Sequence, residues 1–73
     1  MITKDDILVG AAAYRKLHPQ QRLGQSIFNY VDLYFGGMAR HIQFGLGIDC
    51  FYNDNIIDKF VDIVVELYNK ESN

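Results

Sequence analysis

The sequence contains a single cysteine, Cys50, and no apolar run long enough to span a bilayer. One cysteine excludes an internal disulfide, which often stabilises chains as short as 73 residues. Aromatic packing and self-association are the remaining supports. Five Phe and five Tyr supply the first, and the second stays open. Residues 1–6 are polar and acidic, and no apolar segment follows them, so we expect no secretory signal. These features predict one soluble, cytoplasmic domain over residues 1–73, with no membrane association.

Charge is distributed unevenly along the chain. Residues 1–48 carry five Lys or Arg and three Asp, a sum of +2, whereas residues 49–73 carry two Lys and six acids, a sum of −4. The overall formal charge of −2 argues against general nucleic-acid binding, for which a basic face is expected.

The spacing of apolar residues predicts an all-α fold, a compact bundle of three to four short helices at about 4–17, 22–35, 38–44 and 54–70. Thr3 and Asp6 form a capping-box-like start for the first helix, and His18-Pro19 ends it. Gly10 with Ala11–Ala13 leaves a smooth surface that permits close helix packing. Gly36-Gly37 breaks the second helix.

The third and fourth helices have their own local indications. Met38, Ile42 and Phe44 are expected to face inward from the third helix. Asn53 is the expected N-cap of the last helix, and Tyr52 just before it is expected to pack on Ile57 as a hydrophobic staple.

The last helix carries four carboxylates at steps of four residues, Asp54, Asp58, Asp62 and Glu66. This acidic ridge is either a solvated outer face or a stripe that docks on a basic partner. The same helix has nine apolar residues, more than one buried face requires. We therefore expect a partner or homodimer interface that includes acidic and apolar positions of this helix: Asp58, Asp62, Ile63, Val65, Glu66 and Tyr68.

A second polar set lies on the second helix. It forms either a recognition stripe or a set of structural hydrogen bonds that ties this helix to the loop near Asp49, and its members are Arg22, Gln25, Asn29 and Asp32. In the structural interpretation, Asp49 accepts hydrogen bonds from Gln25 or Arg22.

No pattern predicts catalysis, a cofactor or a metal. His18, His41, Asp49 and Cys50 are the candidate metal ligands, and they lack the paired spacing of a structural zinc site. Asp49 beside Cys50 disfavours a reactive thiolate, so Cys50 is interpreted as a small buried hydrophobe. The paired glycines lack the lysine and the preceding strand of a phosphate loop.

Two motifs carry a resemblance: Arg22-Leu23-Gly24-Gln25 with Asn29, and Asp49-Cys50-Phe51-Tyr52-Asn53-Asp54 followed by Phe60. They resemble short bacterial and phage or prophage open reading frames that have an R-x-G-Q-x-x-x-N helix and a D-P-F-Y-x-D turn before a last helix. The resemblance covers about residues 15–63, with Cys50 where the pattern often has proline. It implies a phage or mobile-element accessory gene and assigns no activity.

The leading hypothesis is a small non-enzymatic interaction or accessory protein that binds a host protein or itself as a homodimer. The alternative is a nucleic-acid-associated helical module that uses four basic residues, Arg15, Lys16, Arg22 and Arg40.

Overall fold

The structure of the chain, a computed structural model, describes residues 1–72 and consists of four helices. They are α1 (Lys4–Leu17), α2 (Leu23–Tyr34), α3 (Met38–Leu46) and α4 (Ile57–Ser72), and a short 3-10 turn (Asp54–Ile56) leads into α4. No strand occurs within residues 1–72, so the predicted all-α bundle is confirmed. The third helix is two residues longer than predicted. The last helix begins with a 3-10 turn, and Asn73, the end of the predicted domain, lies outside the described residues.

The expected start of α1 and the expected break after α2 are confirmed. The Thr3 hydroxyl accepts from the Asp6 amide at 3.2 Å, and the Asp6 carboxylate accepts from the Thr3 amide at 2.8 Å. These two bonds satisfy amide groups that the first turn of α1 leaves without helical partners. Gly36 and Gly37, both with positive φ, separate α2 from α3.

The hydrophobic core draws on every helix. Its largest fully buried side chains come from α1, α2, α3 and α4, namely Phe60, Ile7, Ile27, Ile42, Val31, Val61 and Val64. Phe60 stacks on Phe28 with their ring centroids 5.8 Å apart. One expectation is wrong: Phe44 is 81% exposed rather than inward, because the buried side of α3 is formed by Met38, Ala39 and Ile42.

Close packing of α1 against α2 depends on a missing side chain. A Cβ atom at Gly10 would overlap the Tyr30 hydroxyl, so the Tyr30 ring lies where α1 presents only backbone. The expected smooth surface at Gly10 is therefore used for helix packing.

The N-terminal segment is held against α4. The Asn69 amide side chain accepts from the Ile2 amide and donates to the Ile2 carbonyl oxygen, both at 2.9 Å. Lys4 then forms ion pairs with Asp58 at 3.0 Å and Asp62 at 3.5 Å. These contacts join the two ends of the chain.

The segment that precedes α4 crosses the start of α2 at Gly24. The Gly24 amide donates to the Asp54 carboxylate at 2.9 Å, and the Cys50 thiol donates to the Gly24 carbonyl oxygen at 3.3 Å. A Cβ atom at position 24 would overlap the Cys50 carbonyl oxygen. We call these three residues, Gly24, Cys50 and Asp54, the Gly24 junction.

Replacing Gly24 with alanine is expected to destabilise the fold, although alanine favours a helix by about 1 kcal/mol. The overlap is with backbone, which moves only if the 50–54 segment moves, so we expect a net loss of about 2 kcal/mol. For a domain of this size that lowers Tm by roughly 8–16 °C in a thermal melt.

The matched control is Gly45→Ala, also within a helix, where a Cβ atom meets nothing within 4 Å. This variant should be as stable as the wild type or more stable, by up to about 1 kcal/mol. Equal melting temperatures for the two alanine variants would contradict the close approach at Gly24.

Candidate interaction surface

The predicted acidic ridge is divided among different structural roles. Asp54 belongs to the 3-10 turn and binds the start of α2, as described above. Asp58 and Asp62 pair with Lys4, whose pKa is raised above its usual value by the Asp58 hydrogen bond and the attraction of both carboxylates. Glu66 is exposed. The ridge is therefore mostly a structural and solvated feature.

The bundle itself covers much of the apolar surface of α4 that was expected to form an interface. Ile63, Val65 and Tyr68, proposed as interface residues, are half-buried and pack against the core. The Tyr68 ring meets Phe35 edge-on at a centroid distance of 5.4 Å. A central helix contacts neighbours on several sides, so it can bury more than one apolar face within the bundle.

The predicted polar junction is also different. Asp49 accepts from the Gln43 side chain at 3.0 Å and from the Phe51 amide at 2.8 Å, not from Gln25 or Arg22. Gln25 instead accepts from the Arg22 amide at 3.3 Å. Asn29 donates to the Gln21 side chain at 3.3 Å. The carboxylate that reaches α2 is Asp54, five residues further along the chain.

Two of the four candidate basic residues line one groove, and a third lies next to that groove in the sequence. Arg15 and Lys16 line a shallow groove of about 360 Å³ together with Ala12, Pro19 and Leu23. Arg22 is the residue immediately before Leu23. Arg40 lines a different groove with His41 and Phe44, and its guanidinium pairs with Asp32 at 3.0 Å. The structure thus separates Arg40 from the other three.

An exposed tyrosine lies beside Arg22. The Arg22 guanidinium lies 5.1 Å from the centroid of the Tyr52 ring, within the range of a cation–π contact. Tyr52 is 78% exposed, so the expected staple onto Ile57 is wrong. We call the surface formed by the groove and this pair the α1–α2 corner. It consists of Ala12, Arg15, Lys16, Pro19, Arg22, Leu23 and Tyr52.

The Arg22–Tyr52 pair is connected to the core by two edge-on contacts between aromatic rings. Tyr52 contacts Phe51 at a centroid distance of 4.7 Å, and Phe51 contacts the buried Phe28 at 5.6 Å. Leu23 beside them remains 43% exposed. A large aromatic ring that already packs on a neighbouring ring loses little conformational freedom when it is covered, which is typical of binding hot spots. From the sequence, Tyr52 was expected to pack inward on Ile57, and nothing in its local pattern indicated an exposed pair with Arg22.

Cys50 is fully buried, as predicted. Burial raises the pKa of its thiol to about 12, and the nearby carboxylates of Asp49 and Asp54 act in the same direction. The thiol therefore stays protonated and can donate its hydrogen bond to the Gly24 carbonyl oxygen.

Within the part of the chain that the structure describes, no three His, Cys, Asp or Glu residues gather as a possible metal site. In the same part, no helix is both long enough and apolar enough to cross a membrane. No family model, curated protein or solved structure matches this chain.

The divided roles of the acidic residues lead to a stability prediction. Asp54→Ala removes the acceptor for the first turn of α2, which should lower the free energy of unfolding by about 1–2 kcal/mol. Asp62→Ala is the matched control. It should change stability by less than about 0.5 kcal/mol because its ion pair is exposed and Lys4 retains Asp58. Urea unfolding measures the free energy of unfolding of each variant. Equal losses for the two variants would contradict the structural role assigned to Asp54.

The state of Cys50 leads to a reactivity prediction. A pKa of about 12 instead of the ordinary 9.0 lowers the thiolate fraction about 1,000-fold at pH 8. Ellman's reagent should therefore react with the folded protein only as fast as the fold opens, and rapidly in guanidinium chloride. Complete labelling of the folded protein within minutes would contradict a buried, protonated thiol.

Proposed function

We propose that this chain is a small non-enzymatic interaction protein that binds another protein through the α1–α2 corner. The observation that carries the proposal is the exposed Arg22–Tyr52 pair, whose tyrosine ring packs edge-on against the half-buried Phe51. Phe51 in turn contacts the buried Phe28, and Arg22 precedes Leu23, which lines an apolar groove. Arg and Tyr are among the residues that most often dominate binding energy in protein interfaces.

The charge of the corner indicates the chemistry of the partner. Among the described residues, Arg15, Lys16 and Arg22 form no ion pair with an acidic side chain. Pro19, Leu23 and Ala12 supply an apolar floor between these cations. A protein segment that places an apolar side chain in the groove and carboxylates around it would complement both features.

The resemblance to short phage and prophage reading frames suggests a setting for this interaction. In that setting the partner is a host protein in the cytoplasm, and binding redirects or inhibits it.

The proposal predicts that Tyr52→Ala weakens partner binding by about tenfold or more while the fold stays intact. Phe44→Ala is the matched control, because Phe44 is a similarly exposed aromatic residue that lies on α3, outside the α1–α2 corner. Arg22→Glu should also abolish capture, and its charge-matched control is Lys59→Glu on α4. Tagged variants would be compared by affinity purification from host cells and quantitative mass spectrometry. A partner recovered equally with all four variants would overturn the assignment of this surface.

A nucleic-acid-associated module is the second candidate. Arg15 and Lys16 line one groove, and Arg22 lies over an exposed tyrosine ring of a kind suited to base stacking, which supports it. The net charge of −2 and the separate position of Arg40 weigh against it. Salt-sensitive gel shifts with duplex DNA and single-stranded RNA that disappear in Arg22→Glu would favour this candidate over the protein partner. No shift at low salt would remove it.

A further inference from the structure

The outward face of α1 carries an unpartnered series of residues with coiled-coil spacing. Asp5, Val9, Ala12 and Lys16 follow one another at steps of four, three and four, and all four are exposed. Val9 is 71% exposed although it is apolar and lies in the middle of the helix. We call these four residues the α1 seam. The core-facing side of α1 is formed by different residues, Ile7 and Ala11.

Further apolar surface lies alongside the α1 seam. Ala13 and Leu17 are exposed, the latter at 78%. Together with Val9 and Ala12 they give α1 a second apolar side that the bundle does not cover. Contiguous exposed apolar surface on a small protein marks a contact site.

The ends of the α1 seam have opposite charge. Asp5 lies in the first turn of α1 and Lys16 in the last. The two residues are eleven positions apart along the helix, which is a rise of about 16 Å, so their side chains cannot pair within one chain. The Asp6 carboxylate, by contrast, is engaged with the Thr3 amide in the capping box.

We propose that the α1 seam binds the α1 seam of a second copy of this chain in antiparallel orientation. A two-fold axis at the midpoint between Val9 and Ala12 places Asp5 opposite Lys16 of the second copy and Val9 opposite Ala12 of the second copy. Each pair occurs twice by symmetry, as in any isologous interface. The small Ala12 side chain permits close approach, and the antiparallel helix dipoles attract each other.

The charges select this orientation over the parallel one. In a parallel pair, the two Asp5 side chains would face each other, as would the two Lys16 side chains. Both contacts would be repulsive. The antiparallel pair replaces them with two ion pairs.

The size of the interface sets the expected affinity. A helix of 14 residues is about 21 Å long, which is short compared with the ~800 Å² per partner of a standard interface. We therefore expect a dissociation constant between about 10 µM and 1 mM. The pairing goes beyond the proposed partner binding and shares only the groove-lining Ala12 and Lys16 with the α1–α2 corner.

Charge reversal tests the pairing. Asp5→Lys alone and Lys16→Asp alone each place like charges opposite each other and should abolish dimerisation. The double variant reverses both ion pairs and should restore it. The measurement is sedimentation velocity of the full chain from about 10 µM to 1 mM at low salt. Both substitutions oppose the helix dipole, so their destabilising effects add in the double variant. Recovery of the dimer therefore cannot arise from improved folding.

A second test of the dimer places a charge at an exposed apolar position. Val9→Asp should abolish the dimer, whereas Leu33→Asp, which changes a similarly exposed residue on α2, should leave it intact. A wild-type protein that stays monomeric at 1 mM overturns the proposal. So does a dimer that persists in both single charge variants, or one that the double variant fails to restore. Sedimentation velocity measures self-association of the purified chain alone. Its outcome is therefore independent of whether the Arg22 and Tyr52 variants lose their partner protein.

Discussion

The rest of the structure depends on the close approach of the 50–54 segment to the backbone of Gly24. The absence of a side chain at Gly24 lets the Cys50 carbonyl pass next to α2. The same approach brings the Asp54 carboxylate to the Gly24 amide and the Cys50 thiol to the Gly24 carbonyl. Amide groups at a helix start lack helical partners, and here a residue 30 positions away supplies one acceptor.

The Gly24 junction also determines what reaches the surface. With Cys50 buried and Asp54 attached to α2, the intervening Phe51 packs edge-on against Phe28, and Tyr52 is left outside beneath Arg22. The exposed pair is thus a consequence of a buried backbone contact. The position of this exposed pair is therefore set by the core of the bundle.

A net-acidic chain presents a basic corner because much of its negative charge is used in internal contacts. Asp58 and Asp62 pair with Lys4, Asp32 pairs with Arg40, and Asp54 binds the start of α2. These contacts leave the groove-lining cations to define the local potential of the α1–α2 corner. The sum of charges along the sequence therefore describes this surface poorly, since exposed charges act over roughly 10 Å at ordinary salt.

Local sequence patterns were enough to predict the four helices and several of their ends. Apolar spacing, the Thr3–Asp6 capping box and Gly36-Gly37 act through residues a few positions apart, so local chemistry was enough. It did not determine which apolar side chains are covered: Phe44 is exposed, whereas Val65 packs against the core. Nor did it identify the partners of Asp49 and Asp54. Coverage and pairing depend on contacts such as Ile2 with Asn69, 67 positions apart, which exist only once the helices have packed. Only the tertiary structure, for that reason, moved the candidate binding surface from the last helix to the corner between the first two.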